Sequence, residues 1–186
     1  MAWVLFVLIV SLVVGLARGG RIQHLLDVET RAWWLLILGF AMQVVASELS
    51  ADNSSLAVAL LLLSYVSILG MVAINRKAPG MWIAGIGLFM NFAVIALNGG
   101  MPVLPASVEI AGGGINPVLA GKHVLLNEST RLPFLGDLIP LPGTVISMGD
   151  VFLAIGLGVF VEEMSRRRPR LFRHGVHGEG GSALEH

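Results

Sequence analysis

The chain has 186 residues, no cysteine and a formal net charge of zero; 55% of it is apolar and 13% is charged. That charged share is about half of what an ordinary soluble domain carries, and the mean hydropathy is +0.82. The absence of cysteine excludes disulfides, thiolate zinc sites and thiol nucleophiles, and the balanced charge gives no reason to expect nucleic acid as a partner. The expected fold class is an all-α integral membrane protein, with one membrane domain over residues 1–173.

Charges fall in clusters, and the gaps between clusters are the expected spans. Five transmembrane helices are predicted at about 2–17, 32–48, 54–74, 80–98 and 147–165, with an extracytoplasmic cap at 99–146 between the fourth and fifth. The first gap has no positive segment before it and Arg18 after it, so it reads as an anchor with its start outside, not as a cleaved signal. Residues 18–30 mix apolar and charged positions and suit a short helix along the cytoplasmic interface. The second span begins beside Trp33 and Trp34, where an aromatic belt would sit, and the third contains the run Leu60, Leu61, Leu62, Leu63. The fourth starts near Met81 and is ended by Asn98, Gly99, Gly100 and Pro102. At the fifth, Ser147-Met148-Gly149-Asp150 matches a capping box, with Ser147 as N-cap and Asp150 at the third helical position.

Lysine and arginine fix the expected orientation. Ten of the twelve basic residues follow the first, third and fifth spans, whereas Lys122 and Arg131 alone lie in the cap. This predicts a cell-membrane, multi-pass protein with its N-terminus outside and its C-terminus cytoplasmic. The tail at 174–186 is glycine-rich; His174 and His177 read as solvated, and Leu184-Glu185-His186 as the scar of a purification tag.

Polar residues inside apolar helices mark packing seams or pathways. Gly80, Ala84, Gly87, Asn91 and Asn98 recur on one face of the fourth span, with Gln43, Ser64, Tyr65 and Ser67 as candidate partners for the two amides. Asp150 serves either as a helix cap or as a functional carboxylate. In the cap, Asn116-Pro117 suits a helix start leading to about Leu126. The exit Asn98-Gly99-Gly100-Met101-Pro102 is either a turn or a backbone approach to a ligand, and His123 is the cap's lone histidine. Gly136-Asp137, bracketed by Pro133, Pro140 and Pro142, reads as a rigid turn presenting a carboxylate. The candidate catalytic residues are therefore His123, Asp137 and Asp150, and the candidate ligand-binding residues are Asn91, Asn98, Gly99 and Gly100. No metal or cofactor signature is present.

Asn98-Gly99-Gly100-Met101-Pro102, His123, Thr130, the stretch from Leu135 through Asp137 to Pro140, and Ser147-Met148-Gly149-Asp150 together resemble a family of small multi-pass bacterial membrane proteins known as a domain of unknown function. That resemblance spans nearly the whole chain and implies a bacterial inner-membrane location. Over about thirty residues, Leu135 to Pro140 and Ser147 to Gly156 also resemble the two aspartate motifs of lipoprotein signal peptidases. Here Asp137 stands where that family has asparagine and Pro140 where it has its first catalytic aspartate, leaving Asp150 as the matched position. Three functions are compatible with these features: binding of a lipid or small ligand under the cap, hydrolysis by aspartates at the outer boundary, or an accessory role in a membrane complex. Membrane lipid and a lipid-like or small-molecule ligand are the expected partners.

Overall fold

The computed structural model describes residues 2–18, 30–49, 54–112 and 123–166. Helices α1 (Ala2–Ala17), α2 (Trp34–Leu49), α3 (Ser54–Ile74) and α4 (Met81–Asn98) are followed by β1 (Met101–Val103), α5 (Pro105–Ile110) and β2 (His123–Leu125). A 3-10 turn at Pro133–Leu135 then leads into β3 (Asp137–Leu141), β4 (Thr144–Ser147) and α6 (Met148–Arg166). Residues 19–29 of the expected interfacial helix, the helix start at Asn116-Pro117 and the tail at 174–186 lie outside the described residues.

The all-α, five-span architecture is overturned in two respects. The segment expected to be an all-helical cap folds as a four-stranded sheet in the order β2-β1-β3-β4. Among the described residues, two helices are long and apolar enough to cross a membrane, Ser55–Ile74 and Met81–Asn98. The physical reasons are length and charge. With 16 residues each, α1 and α2 rise only about 24 Å, short of the roughly 30 Å hydrocarbon layer. Helix α6 is longer, at 19 residues, but carries Asp150, Glu162, Glu163 and Arg166.

The helices pack side by side, α2 on α3, α3 on α4, α4 on α6, and α6 on α1. The α4–α6 crossing is an antiparallel seam of small residues. A Cβ at Gly80 would collide with the Gly156 carbonyl, and one at Gly87 with the Gly149 carbonyl, so the backbones touch directly. Close approach of this kind lets helices gain dispersion and hydrogen bonds without large side chains between them. Two apolar clusters fill the remaining space: Ile68, Val72, Met81 and Leu88 toward one end, and Ala46, Leu61, Val94, Ile95, Met101 and Leu135 toward the sheet.

Hydrogen bonds and ion pairs define the end opposite the sheet. The Asn75 amide donates to the Arg31 carbonyl at 2.7 Å and accepts from the Arg31 N–H at 3.0 Å, tying the approach to α2 to the end of α3. Arg18 pairs with Glu162, and Arg166 lies 3.7 Å from the same carboxylate.

In the sheet, β1 runs parallel to β2 and β3, and β4 returns antiparallel to β3. Proline is tolerated in β3 because β1 meets that strand only at Val103↔Asp137, so Pro140 owes no hydrogen bond on the β1 side. Pro142 and Gly143 close the β3–β4 hairpin, with Gly143 at φ 78°, the left-handed value that the second central position of a Pro-Gly turn requires.

Candidate functional site

Sheet register brings the chemistry together. On β1, Met101 and Val103 are two residues apart and so share a face. His123 is paired with Met101, and Asp137 with Val103. Ser147 is in turn paired with Asp137 on the far side of β3. Three polar residues distant in sequence thus line up across one face of the sheet.

His123 Nε2 lies 3.4 Å from Asp137 Oδ2, with the carboxylate side chain 8% exposed. Nδ1 of the same ring is buried and has no hydrogen-bond partner. Beside this pair is a cavity of about 140 Å³, lined by His123, Asp137 and Thr144 with the apolar residues Val103, Val108, Ala111 and Val145 and the turn residue Gly143. The cavity's walls are held by backbone and side-chain bonds. Gly143 N–H donates to the Ala111 carbonyl at 2.9 Å, and Ser107 Oγ donates to the Leu138 carbonyl at 2.6 Å, fastening α5 to the hairpin.

Two expectations for this region are corrected. His123–Leu125 forms β2 instead of continuing a helix to Leu126, because its backbone is taken up in pairing with β1. Asp137 opens β3 instead of sitting in a turn, its backbone engaged with both β1 and β4. The carboxylate is thereby placed on a strand that neighbours hold from two sides.

Asp150 belongs to a second network at the head of α6. Its N–H donates to Ser147 Oγ at 3.0 Å, while its Oδ2 accepts from the Ser147 N–H at 3.1 Å, the reciprocal pair of a capping box. Its Oδ1 accepts from Asn91 Nδ2 at 2.9 Å, and Asn91 Oδ1 accepts from Ser147 Oγ, also at 2.9 Å. Ser147 is fully buried and Asn91 nearly so, which makes complete pairing of their polar atoms an energetic necessity. Asp150 therefore faces the bundle interior, where both of its oxygens are already engaged.

The two candidate aspartates thus have different surroundings: Asp137 meets His123 at the cavity, and Asp150 caps a helix. They are linked through Ser147, which stands opposite Asp137 in the ladder and bonds Asp150.

Asn98, on the same face of α4 as Asn91, has another task. Its Nδ2 donates to the Val94 and Arg131 carbonyls at 2.8 and 2.9 Å, and its Oδ1 accepts from the Arg131 N–H at 2.8 Å. Gly99, at φ 68°, terminates α4, and buried Gly100 leads directly into β1. These three residues anchor the cap and lie outside the cavity lining. Among the described residues, no three His, Asp or Glu side chains gather as a metal centre would need. The lining residues Val103, Val108, Ala111 and Thr144 carried no signal of their own in the sequence. The Pro142-Gly143 turn was the feature capable of revealing the hairpin that bounds the cavity.

No solved structure matches the chain. An uncharacterized protein of Thermotoga maritima is 29% identical over 148 residues, covering 76% of this chain and 80% of that relative. The model of a family of unknown function, DUF5317, matches residues 27–162, and the chain belongs to that family.

Proposed function

We propose that the protein is embedded in the cell membrane, carries its sheet on the extracytoplasmic side, and binds a small ligand in the cavity beside His123 and Asp137. The cavity is the observation that carries the binding role. It joins a largely buried His–Asp pair to an apolar wall, the combination by which small-molecule sites fix orientation and gain affinity. At about 140 Å³ it suits a headgroup or a small metabolite and is too small for an acyl chain.

Exposed apolar surface supports the membrane location. In the two long apolar helices only 33% and 39% of the residues are buried, unlike the core helix of a soluble domain. Leu63, Val66, Trp82, Ile86 and Phe89 all face outward, an apolar surface that water penalises and lipid accepts.

Charge supports the orientation. Arg18, Arg31, Arg76, Lys77 and Arg166 gather at the bundle end opposite the sheet, and exposed Trp33, Trp34 and Trp82 stand at that same end. Basic residues mark the cytoplasmic side and tryptophans the interface.

Protein purified in mild detergent and then denatured should release a small molecule in near-stoichiometric amount, detected by mass spectrometry. Ala111→Phe, which fills the cavity, should release far less. Equal content in the two proteins, or none in either, contradicts ligand binding at this place.

A further inference from the structure

The 3-10 turn at Pro133–Leu135 lies across the sheet-side ends of α4 and α6 and packs against both helices. Leu135 is buried in the apolar cluster with Val94, Ile95 and Met101. Phe134 is 60% exposed, and Pro133 beside it is exposed as well. The surrounding backbone keeps Phe134 from folding inward. Ahead of it, Asn98 holds both the N–H and the carbonyl of Arg131, and Leu132 takes φ 52°, a left-handed value that residues other than glycine rarely adopt. Behind it, the Leu135 N–H donates to the Leu132 carbonyl at 3.0 Å. Gly136 sits so close to β1 that a Cβ there would come within 2.6 Å of the Pro102 carbonyl oxygen. A large apolar ring held outward in this way is unfavourable in water.

The neighbouring surface shows what covers it. On α4 the exposed residues Trp82, Ile86, Phe89 and Leu97 fall within about 80° of one another around the helix. On α6 the exposed residues Met148, Ile155 and Val159 fall within about 40°. The two apolar stripes reach the sheet-side ends of their helices at Leu97 and Met148, the ends that the turn crosses. Exposed Arg131, three residues before Phe134, adds a cation of the kind that reaches toward lipid phosphate while its stem lies on apolar surface.

We propose, on the footing that α3 and α4 cross the membrane, that this turn is a lipid anchor: Pro133 and Phe134 enter the boundary between headgroups and acyl chains of the outer leaflet. The turn runs directly into β3, so Asp137 lies at most about 11 Å along the chain from Phe134. The anchor therefore holds the cavity beside the headgroup layer and keeps the sheet from standing free in water.

The test uses the full chain in nanodiscs of phosphatidylethanolamine and phosphatidylglycerol, with single cysteines carrying a nitroxide; the chain has no cysteine of its own. Collision with oxygen, which concentrates in lipid, and with a nickel chelate, which stays in water, gives the depth of each label. Phe89→Cys, at an exposed position in the middle of α4, tests the membrane location alone. Phe134→Cys tests the anchor, and Pro133→Cys repeats the reading with the phenylalanine ring in place. Oxygen should outpace the nickel chelate at all three positions, with the two turn labels shallower than Phe89, roughly 5–10 Å into the headgroup and acyl boundary. A lipid depth at Phe89 with nickel contact at either turn position overturns the anchor and leaves the membrane location standing. Turn labels shielded from both reagents would mean that protein covers this corner, which also overturns it. Nickel contact at Phe89 would instead remove the membrane location itself.

Discussion

Asp137 and Asp150 stand thirteen residues apart and both follow a glycine in sequence, yet they have different tasks. Asp150 has its oxygens taken by the Ser147 N–H and the Asn91 amide, so its contribution is to hold α6 against α4. Asp150→Asn keeps an oxygen acceptor and should leave the protein folded, with a modest fall in melting temperature. Asp150→Leu strands the Ser147 N–H and the Asn91 amide and should cost roughly 2–4 kcal/mol. Thermal denaturation in detergent distinguishes the two, and equal stability of both variants would remove the cap from the account. The capping box was legible in sequence because all of its partners lie within four residues. The His123–Asp137 pair was not, since it depends on register across a strand that neither residue belongs to.

At the scale of elements, the helix seam and the sheet obey different rules. The α4–α6 seam tolerates no side chain at its glycines: a Cβ on Gly156 would strike the backbone of Ala84 and Gly80. Gly156→Val should destabilise the bundle by about 3 kcal/mol through overpacking, whereas Gly143→Asn, at a left-handed position with open space around it, should cost far less. Similar losses at both sites would contradict direct backbone contact between the helices. Asn98 fastens the other boundary. Asn98→Ala removes both bonds to the Arg131 backbone and should cost about 2 kcal/mol, with faster hydrogen exchange at the Arg131 N–H as its local signature. Helical stretches were readable from long apolar runs ended by Asn98, Gly99 and Pro102. Strands were not, because β1, β2 and β4 have only three or four residues each. Segments so short hold no period, and their pairing is decided by partners some twenty residues away.

For the whole molecule, hydropathy conveyed the apolar character but overstated the number of helices able to span a membrane. Charge clusters bounded the apolar stretches, yet a stretch of 16 residues such as α2 ends before it reaches the length of a span. Helix directions then gather Arg18, Arg31, Arg76, Lys77 and Arg166 at one end, and the sheet with its cavity at the other. The chain has no cysteine, so a single one introduced at Thr144, in the cavity wall, reports both the side of the membrane and access to the site. The decisive measurement is reaction of Thr144→Cys with a membrane-impermeant thiol reagent in intact cells. Labelling without lysis is the predicted result; labelling that appears only after the membrane is broken would contradict an extracytoplasmic ligand site.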